Sequence, residues 1–254
     1  MESNLVDNME KITLSIYVPC FNEENNITNT LNKIKEAVQH ISYEMLVVDD
    51  GSEDKTIKMI EKFKKNNPNV NIKIIRNENN LGIGFNHRAT VHKASGKYYM
   101  MITGDATEPS DEIKKIVNNI GKADMILTYL IDKRGDARRA LSKIFVFIIN
   151  LITLNNIKYY NGPNIHLLEN VKLYSGRRSG FGYQAELIIA QLREKKTYIE
   201  VEISPYTPPS EKLELSALLV KLRNLQKLPS VTASIISIFF NQIIYIVKKI
   251  LKIK

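Results

Sequence analysis

The chain has little cysteine and no early apolar run. Cys20 is the single cysteine among 254 residues. One cysteine excludes an internal disulfide and a zinc site built from several cysteines, and it suits a reducing compartment. The first residues, ESNLVDNMEK, resemble no secretion signal, so we expect a cytosolic protein.

Acidic residues are absent after Glu214, while seven lysines and arginines follow it. The whole chain carries a net charge of +9, but residues 1–214 account for only about +2 of it. The positive charge therefore belongs to the C-terminal tail. This distribution argues against nucleic acid as a partner of the main domain.

Apolar strands alternate with amphipathic helices over residues 11–130. Strands are predicted at 11–19, 45–48, 70–76, 97–103 and 124–129. Apolar residues between the first two recur at steps of four and three from Ile27 to Ile41, which is typical of one helix face. We expect one large α/β domain with a doubly wound, mostly parallel sheet flanked by helices, plus an appendage.

Carboxylates stand where three of these strands end. Glu23 follows the first strand, Asp49 and Asp50 follow the second, and Asp105 follows the fourth. Open α/β sheets bind ligands at the carboxyl ends of their strands, so we expect these side chains to share one cleft. Taken alone, the pair Asp49 and Asp50 is equally well explained as a helix cap.

The pattern changes after Leu130. Residues 140–154 are apolar nearly all round but too short to span a bilayer, which leaves a core helix and a helix lying against a membrane as alternatives. Turn-forming residues dominate 159–182, and a further helix near Ile188 and a strand at 197–203 follow.

The tail carries a leucine stripe that ends at Pro229, an apolar stretch at 231–247 and the closing sequence KKILKIK. A basic amphipathic tail of this kind favours the surface of an anionic membrane. An oligomer contact, or a helix packed on the domain, is the alternative.

Taken together, the motifs resemble the family 2 glycosyltransferases, which are inverting, nucleotide-sugar-dependent enzymes of GT-A fold. The donor-side motifs read VPCFNEENN, VVDDGSEDKT and NNLGIGFNHRATVHKASGKYYMMITGDAT. Two later segments are similar to the acceptor side of the polyprenyl- and dolichyl-phosphate glycosyltransferase branch, and they read YYNGPNIH and FGYQAELIIAQLREKKTYIEVEIS. The resemblance covers roughly residues 12–212, so we expect a catalytic domain at 1–212 and a membrane-associated helical tail at 213–254.

The resemblance implies roles for individual residues. It assigns a donor pocket to Pro19, Glu23, Asp49, Asp50 and Arg88, with Asp50 the stronger candidate for base or ribose contact. It implies that Asp105 is catalytic and binds Mg²⁺ or Mn²⁺, since a divalent cation neutralises the charge that develops on a leaving diphosphate.

The metal motif departs from the family pattern at its second acidic position. The family's Asp-X-Asp is replaced here by Asp105, Ala106 and Thr107. Either Glu108 substitutes through a small shift of the loop, or Asp105 and the substrate hold the metal alone.

The acceptor side has two candidate chemistries. Glu186 matches the family's acceptor-side acid and would be the general base for a sugar hydroxyl, whereas an ionised acceptor phosphate needs only positive charge. Five arginines are candidates for a phosphate clamp: Arg134, Arg138, Arg139, Arg177 and Arg178.

The function implied is sugar transfer from a nucleotide-diphosphate sugar to a polyprenyl phosphate or a lipid-linked glycan, in glycolipid or polysaccharide synthesis. We expect a peripheral protein on the inner face of the membrane. A nucleotidyltransferase and a membrane-binding module with a decayed site are the rivals, and the missing second acidic residue favours the latter.

Overall fold

The computed structural model describes residues 12–130, 136–174 and 182–204, together with parts of 232–246. The strands are β1 (Leu14–Cys20), β2 (Tyr43–Asp49), β3 (Ile72–Arg76), β4 (Tyr98–Met101), β5 (Met125–Leu130), β6 (Ile165–Leu167) and β7 (Tyr198–Ile203). The helices are α1 (Ile27–Val38), α2 (Thr56–Asn66), α3 (Ile83–Val91), α4 (Ser110–Val117), α5 (Asp136–Thr153), α6 (Leu168–Tyr174) and α7 (Tyr183–Arg193).

One sheet of seven strands in the order β3-β2-β1-β4-β6-β5-β7 forms the centre of the described region. The pairs β2 with β3, β1 with β2, β1 with β4 and β5 with β7 are parallel. Only β6 is reversed among these strands, since it pairs antiparallel with both β4 and β5. The predicted mostly parallel sheet flanked by helices is therefore confirmed.

Both faces of the sheet are covered. On one face, β1 contributes Leu14, Ile16 and Val18 to a cluster that α1, α2 and α4 complete. On the other face, Tyr17 packs with α3, α6 and α7. Burial on both faces explains why β1 has no polar alternation apart from Ser15.

A buried carboxylate lies at the amino end of the sheet, away from the predicted site. Glu44 is fully buried, and its Oε1 accepts hydrogen bonds from Ser15 Oγ at 2.6 Å and from Ser95 N at 2.7 Å. Its Oε2 accepts from Lys73 Nζ at 2.7 Å. Burial alone would raise the pKa of Glu44, but the bonds from Lys73 and Ser15 outweigh it and lower the pKa. Glu44 therefore contributes stability as an anion.

Helix α5 is buried on one face and exposed on the other, so the core-helix alternative holds for its buried face. Ile149 is fully buried and packs in a cluster with α7, with Phe145 against it, whereas Phe147 and Leu151 are exposed. No helix in the described part of the chain is long and apolar enough to cross a membrane. The predicted leucine stripe before Pro229 lies outside the described residues.

Strand β6 and helix α6 were not expected, because their sequence lies in a stretch of turn-forming residues. A strand of three residues, Ile165–Leu167, is too short to show an alternating pattern. It forms because β4 and β5 both offer an edge to it.

Candidate active site

The loops that follow β2 and β4 both attach to the carboxyl end of β1. Asp50 N donates to Cys20 O at 2.9 Å, and Gly104 N donates to Pro19 O at 2.9 Å. Because β2 and β4 flank β1, the two loops lie about two strand spacings, or roughly 10 Å, apart. The loops that carry Asp50 and Asp105 therefore meet at one edge of the sheet, as the sequence predicted.

Gly104 permits this close approach. A Cβ at this position would lie 2.8 Å from Cys20 Cβ and 3.1 Å from Pro19 O. The loop that carries Asp105 therefore reaches the end of β1 only because residue 104 has no side chain.

The Asp50 carboxylate holds the loop that precedes α3. Its Oδ1 accepts from Asn77 Nδ2 at 2.8 Å and from Leu81 N at 2.9 Å, and its Oδ2 accepts from Gly82 N at 2.9 Å. Burial alone would raise the pKa of Asp50, but the hydrogen bonds from Leu81 and Asn77 outweigh it and lower the pKa. Asp50 is thus a buried anion that shapes the cleft wall.

Asp49 is fully buried behind the turn at Gly51. Its Oδ1 accepts from Ser52 N at 3.1 Å, and its Oδ2 lies 3.6 Å from Arg76 Nε. Gly51 has a φ of +79°, which favours glycine, and a Cβ there would lie 2.8 Å from Asn79 C. Asp49 therefore fixes the turn that brings the strand end beside the 76–80 loop.

An open cavity of about 520 Å³ lies at this edge of the sheet. It is lined by Phe21 after β1, by residues 51–53 after β2 and by residues 76–80 after β3. Its size suits a nucleoside-sized ligand. Its walls come from the same loops that Asp49 and Asp50 hold in place.

The loop after β4 brings two carboxylates to one hydroxyl. Thr107 Oγ1 lies 3.1 Å from Asp105 Oδ1 and 3.0 Å from Glu108 Oε2. Asp105 Oδ1 also accepts from Thr103 Oγ1 at 2.7 Å. Burial, and then the charge of Asp105, raise the pKa of Glu108 to about 7. Glu108 therefore lies close to Asp105 although an acidic residue is missing at position 107.

Helix α1 fastens this loop through backbone carbonyls. Thr30 Oγ1 donates to Gly104 O at 2.9 Å, and Lys33 Nζ donates to Ala106 O at 2.7 Å. Ala106 has a φ of +58°, a left-handed conformation that is costly for a residue with a Cβ. Sequence reasoning missed Thr30 and Lys33, because a lysine on an amphipathic helix has no local feature that separates it from a solvated surface charge.

Helix α7 begins beside α3 and the end of β4. The Tyr183 ring lies 4.5 Å from the His87 ring of α3, and Tyr183 Oη donates to Met101 Sδ at 2.8 Å. Burial lowers the pKa of His87 to about 3, so this histidine packs as a neutral ring. Glu186 is in the first turn of α7. The helix start therefore places Glu186 near the end of β4.

The remaining predicted residues have diverse surroundings. Glu23 Oε2 accepts from Asn26 Nδ2 at 2.8 Å in the loop after β1. Arg88 is partly exposed on α3, with its guanidinium 6.0 Å from the centre of the Phe85 ring. Arg138 and Arg139 lie on α5. Arg134, Arg177 and Arg178 lie outside the described residues, so the predicted phosphate clamp stays a prediction.

The described region contains no group of three or more His, Cys, Asp or Glu side chains placed to hold a metal ion. Two carboxylates on one loop still suit a hard divalent cation that takes its other ligands from substrate and water. The pair Asp105 and Glu108 fits such an ion, since its charge would relieve the repulsion between them.

The model for glycosyl transferase family 2 matches residues 15–180. The chain belongs to glycosyl transferase family 2. The match covers well over half of the chain and includes β1 to β6 and the loops described above. The predicted family and the predicted class of enzyme, a glycosyltransferase, are therefore confirmed.

Named relatives of this glycosyltransferase include enzymes that act on lipid phosphates. It is 28% identical over 178 residues to the dolichyl-phosphate beta-glucosyltransferase of Dictyostelium discoideum. This match covers 61% of this chain and 54% of the relative. It is 28% identical over 107 residues to the dolichol-phosphate mannosyltransferase of Pyrococcus furiosus. This match covers 42% of this chain and 30% of the mannosyltransferase. The chain thus spans about half of the first relative's length and less of the second.

The fold of this family 2 glycosyltransferase is shared with solved structures. Glucosyl-3-phosphoglycerate synthase from Mycobacterium tuberculosis, solved in complex with Mn²⁺, UDP and phosphoglyceric acid, superposes with a TM-score of 0.67. The two are 15% identical, and the match covers 91% of this chain and 78% of that chain. At this identity the likeness establishes the GT-A fold and nothing finer.

Proposed function

We propose that this family 2 glycosyltransferase moves a sugar, with inversion, from a nucleotide-diphosphate sugar to a polyprenyl phosphate or a lipid-linked glycan. The observation that carries the proposal is the meeting of the β2 and β4 loops at the end of β1. One loop borders a cavity of nucleoside size, and the other carries Asp105 with Glu108. Base, diphosphate and sugar would then lie in sequence along one edge of the sheet.

The donor side follows from the loops around the cavity. The nucleoside would occupy the cavity beside Phe21 and the 76–80 loop. Asp50 would shape that wall and contact the ribose or base. Arg88 on α3 would place positive charge near the diphosphate.

Asp105 and Glu108 would hold Mg²⁺ or Mn²⁺, which occurs in solved relatives such as the glucosyl-3-phosphoglycerate synthase complex. The ion neutralises negative charge on the leaving diphosphate when bound. Thr107 would orient the two carboxylates through its shared hydroxyl. Thr30 and Lys33 would keep the loop at the end of β1.

Two acceptors of different chemistry are candidates, a lipid phosphate and a sugar hydroxyl. Names of relatives favour a lipid phosphate, whose ionised oxygen needs no general base. If the acceptor is instead a sugar hydroxyl, Glu186 would remove its proton. The lipid acceptor and the basic tail together support a peripheral location on the inner face of an anionic membrane.

A nucleotidyltransferase is disfavoured as a rival. Such an enzyme needs a glycine-rich loop with lysine or arginine directly after the first strand, and here Phe21, Asn22, Glu23 and Glu24 follow β1.

The metal assignment is tested with Asp105→Asn and Glu108→Gln, using Asp111→Asn on exposed α4 surface as the matched control. Equilibrium Mn²⁺ binding should weaken in the first two variants and stay unchanged in the control. Sugar transfer, assayed with a panel of nucleotide sugars and a membrane lipid extract, should fall about 100-fold or more in Asp105→Asn. Full activity of Asp105→Asn would remove this residue from the mechanism.

The acceptor class is tested with Glu186→Gln. Loss of a general base lowers the rate by about 10² to 10⁴-fold, whereas transfer to an ionised phosphate should change by less than about tenfold. A large loss with a polyprenyl phosphate acceptor would refute the claim that a phosphate acceptor reacts without a general base.

A further inference from the structure

Exposed apolar side chains concentrate on two helical segments. Thirteen large apolar side chains are exposed among the described residues, and eight of them lie on or directly after α5 or within residues 235–246. Each group of four follows the same spacing of three, four and three residues. The α5 row and the C-terminal row, as we call them, are Ile144, Phe147, Leu151 and Leu154, and Ile236, Phe239, Ile243 and Ile246. This spacing is typical of one helix face.

The opposite faces of both segments are buried against the same core. Ile149 of α5 and Ile238 of the C-terminal segment are 0% and 2% exposed and belong to one cluster with α7. Arg193 of α7 donates to Gln242 Oε1 at 2.7 Å, and its guanidinium lies 5.3 Å from the centre of the Tyr245 ring. The two rows therefore belong to segments that pack against the same cluster of the enzyme core.

Basic residues and no acidic ones accompany both rows in the sequence. Residues 137–168 contain no Asp or Glu, and neither does the chain after Glu214. Lys143 is exposed and directly precedes the α5 row in sequence, and KKILKIK follows the C-terminal row. A second copy of the chain docked on these rows would bring cation against cation, whereas an anionic bilayer supplies the opposite charge.

We infer that the α5 row and the C-terminal row form one membrane-docking face that enters the boundary between headgroups and acyl chains of an anionic bilayer. The apolar rows enter the boundary while the lysines stay among the headgroups. The inference rests on the peripheral location in the proposed function and extends it from the tail to α5.

Site-specific labels test the face directly. Cys20 is the only cysteine of the chain and is buried, so a cysteine introduced at the surface takes a single environment-sensitive fluorophore. Labels would be placed through Leu151→Cys, Ile243→Cys and, as a matched control, Leu173→Cys on α6, where the leucine is 72% exposed. Vesicles of phosphatidylcholine with phosphatidylglycerol should shift emission to shorter wavelength at 151 and 243 and leave 173 unchanged. A shift in one row alone would overturn the inference.

Partitioning tests the energetic contribution of α5. The double variant Phe147→Ser/Leu151→Ser should lose about tenfold or more of its binding to these vesicles, since each side chain leaves water on docking. Leu173→Ser should bind like the original chain. Unchanged binding of the double variant would refute the face. The face would also be refuted if the original chain did not bind vesicles but formed a dimer in sedimentation experiments, and the double variant lost that dimer.

Donor hydrolysis without lipid separates this inference from the proposed reaction. The double variant should hydrolyse nucleotide sugar at the original rate, because α5 is outside the donor cleft. Normal hydrolysis without vesicle binding refutes the docking face alone, whereas vesicle binding without any hydrolysis or transfer counts against the proposed reaction.

Discussion

Replacing Lys33 by methionine should weaken cation binding without unfolding the enzyme. Lys33 Nζ donates to Ala106 O at 2.7 Å and thereby supports a residue with a φ of +58°. A hydrogen bond from a charged donor contributes about 1.5–3 kcal/mol, and the lower end applies because Lys33 is partly exposed. A left-handed residue with a Cβ costs about 1–2 kcal/mol, so the two effects nearly balance. Lys33→Met should therefore raise the Kd for Mn²⁺ about tenfold.

Helix α1 supplies a matched control for this experiment. Lys35 Nζ donates to Asn67 Oδ1 at 2.7 Å, the same length of bond but outside the site. Titration calorimetry with Mn²⁺ should therefore show no change for Lys35→Met. Adding Ala106→Gly to Lys33→Met should recover part of the loss, because glycine adopts positive φ at little cost. The reasoning is refuted if Lys33→Met binds Mn²⁺ normally, or if Lys35→Met weakens binding equally.

Two further predictions concern the framework. Glu44→Gln should cost about 1–2 kcal/mol at neutral pH, because two hydrogen bonds lose their charged acceptor while the Lys73 side chain is 46% exposed and stays hydrated. Since the folded pKa of Glu44 is lowered, the difference from the original chain in thermal unfolding should shrink as pH falls below the ordinary glutamate range, and a pH-independent difference would contradict this. Gly104→Ala should lower the free energy of unfolding by about 1–3 kcal/mol and weaken Mn²⁺ binding, because the new Cβ would lie 2.8 Å from Cys20 Cβ. An unchanged melting temperature and Mn²⁺ affinity would show that the loop can shift freely.

The part of the sheet formed by β1, β2, β3 and β4 was predictable because its central strands are buried on both faces and its turns use distinctive residues. Apolar and β-branched residues marked β1 and β2, Asp50 and Gly51 marked the loop after β2, and Asp105 marked the loop after β4. Strand ends differ by up to three residues from those predicted, as for β4 (Tyr98–Met101) against 97–103. Hydrophobicity continues beyond the last ladder hydrogen bond, so it does not define where pairing stops.

Residues 136–203 were harder to predict because their elements depend on partners that are distant in sequence. Strand β6 forms by pairing with β4 and β5. Helix α5 (Asp136–Thr153) is buried on one face only, although much of its sequence is apolar nearly all round. Asp50 was interpreted as a ligand contact, and its bonds to Leu81 and Gly82 follow only from the folded loop.

The 104–108 loop is attached to α1 through its backbone, so beyond Gly104 its shape depends little on which side chains it carries. Thr30 and Lys33 bind carbonyl oxygens, which every amino acid possesses. An acidic residue can therefore be exchanged for threonine at position 107 without loss of the anchors, and a neighbouring carboxylate can take over its role. Evolution is free to redistribute negative charge along such a loop while its backbone path persists.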